Sequence, residues 1–221
     1  INAIGNKAFR NCKLNYVDLP KSSQSLGISA FADNKALMSV TFRASKIKIG
    51  ASAFTGCTQL SSIKINEAVI ASYAFSDCKA LKEVALGKDV AIIGEYAFAG
   101  TAVEKFSFIT TSDHFELKQG GALLYKKGTQ ELVLAAPNYA GESSVVNLPD
   151  TTAIGAGAFA GNVKILKVVA NKVKSVGAYA FANCTYLESV SMDSLETVDD
   201  YAFTGTGLTA TPNLENVEKI G

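Results

Sequence analysis

Apolar residues recur along this chain every 21–23 residues, and each repeat is centred on an Ala-Phe pair. In the clearest copy, Phe75 is followed by Leu81, Val84 and Leu86. Val84 and Leu86 are two residues apart, which puts both side chains on one face of a β-strand. A fixed period in this range indicates a solenoid, in which each coil buries its apolar face against its neighbours. The repeat phenylalanines are Phe9, Phe31, Phe54, Phe75, Phe98, Phe159, Phe181 and Phe203.

The first half of each repeat reads Ile-Gly-x-x-Ala-Phe-x-x-Cys, which is too short for a full helix. It predicts a tight turn followed by about one helical turn. The Gly of Ile-Gly, as in Gly50 and Gly94, marks a place where a side chain would crowd the bend or where φ is positive. We expect the Phe side chains to stack in one buried column and the strands to form one parallel sheet.

All four cysteines stand three residues after a repeat Phe, where the other repeats have Asn or Thr. This pattern predicts an interior column of small residues that form hydrogen bonds. Stacked strands lie about 4.8 Å apart with parallel side chains, whereas a disulfide needs closer, converging Cβ atoms. We therefore expect free, buried thiols and, since His114 is the only histidine, no zinc site. The cysteines are Cys12, Cys57, Cys78 and Cys184, and the equivalent residues are Asn34, Thr101, Asn162 and Thr206.

The complete motif, I-G-x-x-A-F-x-x-C-x-x-L-x-x-V-x-L, resembles the BspA-like leucine-rich repeat family of bacterial surface proteins over almost the whole chain. Repeat one, which is a residue short after Cys12, and the segment 208–213 depart from the pattern. The resemblance implies an α/β leucine-rich-repeat solenoid with a parallel concave β-sheet and short helical turns on the opposite side. It also implies an extracellular or cell-surface location and binding to host or neighbouring-cell proteins.

The regular period is interrupted once, by a step of 61 residues between Phe98 and Phe159. Two short β-type runs, 122–125 and 131–134, flank Lys127-Gly128-Thr129 and predict an inserted β-hairpin. We expect about five coils over residues 1–106, the hairpin module over 107–150, and about three coils with the start of a ninth over 151–221. The hairpin is either a decorated coil that keeps the solenoid continuous or a binding protrusion. The protrusion would carry His114, Phe115, Tyr125 and Tyr139.

Composition excludes several classes of function. The formal net charge of +1 does not favour binding to nucleic acid or to an anionic membrane. No apolar run approaches the roughly 18 residues of a membrane-spanning segment. Catalysis requires converging nucleophile, base and orienting groups, and a single histidine with buried thiols does not supply them. We expect a protein that is not an enzyme and that has no cofactor or metal.

Two surfaces and the hairpin supply candidate binding residues. The first surface consists of strand residues that point away from the core, among them Tyr16, Lys64, Glu83, Lys105 and Lys167. The second consists of tyrosines two residues before a repeat Phe, and the hairpin contributes Tyr125. These tyrosines are Tyr73 with Tyr96, and Tyr179 with Tyr201.

The sequence favours a non-catalytic protein-binding or adhesion module whose partner is a host extracellular or surface protein. One alternative is a glycan-binding or surface-assembly module that uses the tyrosine columns, since stacked aromatic rings can hold sugars. The structural reading of the same tyrosines is that they cover the outer edge of the core. Another alternative is an accessory repeat region of a larger enzyme.

Overall fold

Every coil except that of Phe203 contains two short strands, where the sequence predicts one. The computed structural model describes residues 1–44, 46–66 and 68–221. In a central coil, β7 (Ala68–Ile70) precedes the Ala-Phe turn and β8 (Glu83–Leu86) follows it. Val84 and Leu86 of β8 are buried and Glu83 is exposed, as the two-residue alternation predicts.

The chain divides into two compact units, Ile1–Leu117 and Lys118–Gly221, and each is described by itself. In the first unit, a five-stranded parallel sheet has the order β1-β3-β5-β7-β9. Its strands are β1 (Ala3–Ile4), β3 (Ser25–Leu26), β5 (Ile47–Ile49), β7 and β9 (Ile92–Ile93). The L-x-x-V-x-L strands form two further parallel sets, one of β2 (Tyr16–Leu19) with β4 (Ser39–Phe42) and one of β6 (Ser62–Ile65), β8 and β10 (Phe106–Phe108).

The second unit begins with the predicted hairpin. Its strands β12 (Leu123–Lys126) and β13 (Glu131–Ala135) pair antiparallel, and β13 then pairs parallel with β15 (Ala153–Ile154). The hairpin therefore occupies a coil position in the sheet of this unit and does not stand apart from it. The sheet continues through β17 (Ser175–Val176), β19 (Thr197–Val198) and β20 (Lys219–Ile220), and a second parallel set comprises β14 (Val145–Asn147), β16 (Lys167–Val169) and β18 (Ser189–Ser191). Strand β11 (Phe115–Lys118) spans the boundary between the units.

The predicted parallel-strand solenoid is confirmed, but the predicted helical turns are wrong. Among the described residues, the one helical element is the 3-10 helix Gln119–Gly121, and the Ala-Phe segments are successive tight turns. Alternate amides point in different directions: the Phe54 N–H donates to Ala74 O in the next coil, and the Thr55 N–H donates back to Ser52 O. A helix would require all of these amides to bond within the segment.

Left-handed backbone at both ends of each turn makes this alternation possible. Ser52 has φ +56° and Gly56 has φ +73° on either side of Ala53-Phe54. The Gly of Ile-Gly, where positive φ was one of the predicted alternatives, does not have it. Instead a Cβ at Gly50 would lie 2.4 Å from Leu26 O of the preceding coil. That glycine is needed because adjacent backbones approach closely there, which is the crowding alternative of the sequence analysis.

Stacked phenylalanines form the centre of each unit. In the first unit, successive rings from Phe9 to Phe98 are nearly parallel, with centroids 5.3–5.4 Å apart. In the second unit, Phe159, Phe181 and Phe203 stack at 5.0 and 5.2 Å. Phe54, Phe75 and Phe98 are fully buried, while Phe9 at the edge of the stack is 43% exposed. This spacing is close to the separation of neighbouring strands, so the backbone of the coils determines the stacking.

The cysteine column gives hydrogen bonds to the carbonyl groups of the Phe turns. The thiols of Cys57, Cys78 and Cys184 donate to Phe O of the preceding coil over 3.1–3.3 Å. Asn34 Nδ2 likewise donates to Phe9 O of the preceding coil at 2.7 Å. Either Cys or Asn can therefore occupy this position, because both donate to the same type of carbonyl group. All four cysteines are free, as predicted. The prediction of burial is wrong for Cys12, which is exposed at the edge of the stack.

The described part of the chain contains no helix of the length and apolar character that crossing a bilayer requires.

Candidate functional site

One side of the first unit collects four of the eight predicted binding residues. We call it the strand face, and it comprises the outward side chains of β2, β4, β6 and β8. The strands alternate exposed and buried residues, so every second side chain points to solvent. In-register pairing places Tyr16 opposite Ser39 and Ser62 opposite Glu83. The strand face consists of Tyr16, Asp18, Ser39, Thr41, Ser62, Lys64 and Glu83.

Tyr16 is the large anchor of the strand face, because 72% of its surface is exposed. Lys64 lies on β6 and Glu83 on β8, both exposed. Lys105 is also exposed and immediately precedes β10, where Phe106 pairs with Val84. This register continues the row from Glu83 to Lys105, so the structure brings four of the predicted residues onto one side of the first unit.

Asp18 and Arg43 form an ion pair at one margin of the strand face. Arg43 Nε and Nη2 each donate to a different carboxylate oxygen of Asp18 at 2.6 Å. The hydrogen bond from Arg43 holds the pKa of Asp18 below its usual value, because it favours the ionised carboxylate. Arg43 was not among the binding residues predicted from the sequence. Its position directly after β4, one coil along from Asp18, could have indicated an ion pair between the two residues.

Lys167 belongs to the second unit and is not a member of the strand face. It lies exposed on β16, where register places it between Val145 and Ser189. Its neighbours across the strands are therefore aliphatic or small, and it is a single cation on that sheet surface.

Tyr73 and Tyr96 lie in the turns before the repeat Phe residues and away from the outward strand residues. Their rings stack with centroids 4.9 Å apart and 6° between the ring planes. Both residues have positive φ, 61° and 57°, a conformation that is costly for a bulky side chain. Tyr73 is 45% exposed, whereas Tyr96 is partly buried. Tyr179 and Tyr201 repeat the arrangement in the second unit at 5.1 Å.

Tyr125 is a structural residue, which corrects its assignment as a binding residue. Only 3% of its surface is exposed. Its hydroxyl lies 2.6 Å from Thr151 Oγ1 in a buried hydrogen bond, and Lys118 Nζ lies 4.1 Å from the centre of its ring. A tyrosine with its ring packed and its hydroxyl paired inside the protein offers no contact to a partner.

Two further residues of the proposed binding protrusion also pack inward. Phe115 is 5% exposed and is therefore a core residue. Tyr139 is partly buried against the core of the second unit, and its hydroxyl donates to Gln119 Oε1. Burial raises the pKa of Tyr139. Of the four proposed protrusion residues, His114 is the one that is exposed.

Of the three buried thiols, Cys78 and Cys184 are poor nucleophiles, whereas a hydrogen bond with Cys78 lowers the pKa of Cys57. Burial raises the pKa of Cys184 to about 12, because the thiolate would lose its hydration. The pKa of Cys78 is also raised, by its contact with the Cys57 thiol and by burial. Protonated thiols do not attack substrates at neutral pH. Within residues 1–44, 46–66 and 68–221, no group of three or more His, Cys, Asp or Glu side chains is placed to hold a metal ion.

Comparison with known proteins identifies the repeat. The sequence profile of the BspA type leucine-rich repeat region matches residues 2–118 and 142–221 in six copies. No curated protein matches the sequence.

Solved structures share the fold at low sequence identity. The pneumococcal vaccine antigen PcpA is 22% identical in sequence, with a TM-score of 0.67. The match covers 99% of this chain and 50% of the antigen, so this chain spans about half of the antigen's length. A leucine-rich repeat protein from Bacteroides ovatus is 19% identical with a TM-score of 0.59 over 100% of this chain and 60% of its own. A leucine-rich cell surface protein from Faecalibacterium prausnitzii is 20% identical with a TM-score of 0.50 over 99% of this chain and 82% of its own.

Proposed function

From the premise that this chain belongs to the BspA type leucine-rich repeat family, we propose that it is a non-catalytic protein-binding and adhesion module of a bacterial surface or secreted protein. Its partner is a host extracellular protein or a surface protein of a neighbouring cell. The description of the similar Faecalibacterium prausnitzii protein as a cell surface protein supports this location.

The observation that carries the proposal is the strand face. Its side chains are outward-pointing, small or polar, and of both charges, with one exposed aromatic anchor, Tyr16. Protein interfaces favour such an aromatic anchor surrounded by polar contacts. A single Tyr gives modest affinity for one copy. Display of many copies on a surface would strengthen binding without any new contact.

The inserted segment is a proposed second contact. We keep the division of the chain at residues 107 and 150 as part of this proposal. With Phe115 and Tyr125 buried, the segment offers other exposed side chains to a partner, among them Ile109, His114 and Lys127.

Glycan binding is the second candidate function, and the stacked Tyr73 and Tyr96 favour it. Aromatic rings can stack on sugars, and 45% of the surface of Tyr73 is exposed. However, the two rings already stack on each other at 4.9 Å, which covers one face of each ring. This geometry supports the structural role of the tyrosines more than a sugar-binding role.

A binding screen with the intact chain separates the two functions. The chain is displayed in many copies on beads and tested against extracellular-matrix and plasma proteins and against a glycan array. The matched variants are Tyr73→Ser with Tyr96→Ser, and Tyr186→Ser, which removes a 60% exposed tyrosine elsewhere. Protein capture that survives both sets of changes supports the proposal. Glycan retention without protein capture, abolished by the Tyr73 and Tyr96 changes alone, overturns it in favour of glycan binding.

A further inference from the structure

A basic groove of about 820 Å³ lies along the short-strand sheet of the first unit. It is separate from the strand face, and its walls carry Gln24, Lys46, Lys48, Lys88 and His114. The groove is not evident in the sequence, because these residues are scattered over 91 positions and become neighbours only when the coils stack.

The stacking of the coils determines where these side chains lie. The Lys48 N–H donates to Gln24 O at 2.9 Å, and Lys48 is paired in register with Val69 of the next coil. Val69 is paired with Ile92 of the coil after that. The Asp113 N–H donates to Lys88 O at 2.9 Å, which places His114 at the same end of the groove as Lys88.

The positive charge of the groove comes mainly from two lysines. Lys88 Nζ lies 3.2 Å from Asp89 Oδ2 and 3.8 Å from Asp113 Oδ2, so acidic neighbours compensate its charge. In the described part of the chain, neither Lys46 nor Lys48 forms a salt bridge. Both side chains are exposed. Two ammonium groups without an acidic partner among the described residues, on one side of a groove, complement an anionic ligand.

The remaining surface of the groove limits the chemistry of that ligand. Val69 and Ala91 give it apolar patches, and the described residues that line it include no Tyr, Phe or Trp on which a sugar ring could stack. The backbone of the sheet is already hydrogen-bonded from coil to coil. A ligand therefore cannot join the sheet as a strand across this face, and it must be recognised through side chains.

We propose that this groove binds an extended acidic segment of a protein partner, whose carboxylates pair with Lys46 and Lys48 while small apolar side chains pack on Val69 and Ala91. Four strands at about 4.8 Å spacing span roughly 15 Å, which about five residues of extended peptide cover. Only the identification of the ligand as part of a protein rests on the proposed protein-binding function. The groove and its charges are independent of that proposal.

Fluorescence anisotropy with the full chain tests the groove directly. The probe is a fluorescein-labelled peptide of about ten residues in which Glu alternates with Ala, long enough to cross the groove with overhang. The competing probes are the peptide with Gln in place of Glu and a heparin-derived oligosaccharide. The groove variant carries Lys46→Gln and Lys48→Gln. The matched control carries Lys79→Gln and Lys82→Gln, which remove the same charge from exposed positions of the same unit.

We expect the acidic peptide to bind, the Gln peptide not to bind, and added salt to weaken binding. The groove variant should bind about tenfold more weakly, because it loses two exposed charge pairs with the peptide. The control variant should bind as the parent does. An equal loss in the control variant, or no binding at about 1 mM peptide, overturns the proposal. Stronger binding of the oligosaccharide, lost in the groove variant, overturns it in favour of an anionic glycan.

The peptide assay needs no natural partner, so its result is independent of the adhesion screen. Failure of the groove proposal and failure of the proposed adhesion function can therefore be distinguished.

Discussion

At the scale of single residues, Phe75 is the side chain on which the first unit depends most. It is fully buried and stacks on Phe54 and Phe98 at 5.3 and 5.4 Å. We expect Phe75→Ala to lower the free energy of unfolding by about 3–5 kcal/mol through lost burial and a cavity. Urea denaturation measures this loss, with Phe9→Ala as the partly exposed control. A loss below about 1 kcal/mol for Phe75→Ala would show that the Phe column is not the core.

The four thiols should differ sharply in reactivity. Cys12 is exposed, whereas Cys57, Cys78 and Cys184 are buried and donate to backbone carbonyls. We expect a thiol reagent to label Cys12 rapidly in the folded protein and the other three only in denaturant. Mass spectrometry after labelling without reductant identifies the sites. Rapid labelling of Cys78 in the folded protein would contradict the buried column.

Cys184 should make the protein less stable at alkaline pH. The pKa of its thiol rises from an ordinary 9.0 to about 12 on folding. Below pH 9 the thiol is protonated in both states; between 9 and 12 the unfolded state loses the proton and the folded state keeps it. Stability therefore falls as pH rises through this window, by about 1.4 kcal/mol per pH unit.

The matched variant is Cys184→Thr, since Thr101 and Thr206 occupy the equivalent position in other coils. The difference in unfolding free energy between parent and variant should decline with this slope above pH 9. A difference that stays constant from pH 8 to 11 would refute the raised pKa.

At the scale of elements, the left-handed position after each Ala-Phe turn couples adjacent coils. Asp77 has φ +56° there, and its neighbour Gly100 has φ +71°. A Cβ on Gly100 would lie 2.7 Å from Asp77 Oδ1. Asp33 with Gly56, and Asn183 with Gly205, show the same combination. In these three pairs, the Asp or Asn side chain of one coil occupies the space that a Cβ on the Gly of the next coil would need.

Gly100→Ala should therefore cost more than the backbone strain alone. Gly128→Ala is the control, because Gly128 has φ +72° but open space around its Cα. We expect the control to lose about 1 kcal/mol and Gly100→Ala clearly more, since positive φ and the crowded carboxylate both oppose the methyl group. Thermal denaturation of the two variants measures the difference. Equal losses would show that the coil-to-coil contact has no energetic weight.

The sequence predicted the elements whose signal is repeated and local. The spacing of Val84 and Leu86 identified the long strand, and the Ala-Phe pair identified the buried column. The strand that precedes each Ala-Phe turn was not predicted. It can be as short as the two residues Ile92–Ile93, and it is stabilised by pairing with strands of neighbouring coils. The prediction of a helical turn was wrong for a related reason. Alternate amides, such as the Phe54 N–H, donate hydrogen bonds to the next coil instead of bonding within the segment.

At the scale of the whole molecule, the sequence predicted correctly which strand residues are exposed, but not that Tyr125 of the hairpin is buried. Period-two alternation is enough to predict that Tyr16, Lys64 and Glu83 point to solvent. It does not reveal that Tyr125 is buried with Thr151, because that contact joins positions 26 residues apart. The basic groove was invisible for the same reason. Surfaces that depend on stacking between coils must be read from the structure.

The most direct measurement of the central claim is the affinity of the strand-face variant for the protein captured in the screen. This variant combines Tyr16→Ser, Lys64→Ser and Glu83→Ser, and Tyr186→Ser is the control with a similarly exposed tyrosine. All three replaced side chains are exposed, so circular dichroism should show an unchanged fold. We expect the strand-face variant to bind at least about tenfold more weakly and the control to bind as the parent does. Unchanged affinity of the strand-face variant would contradict binding through this face.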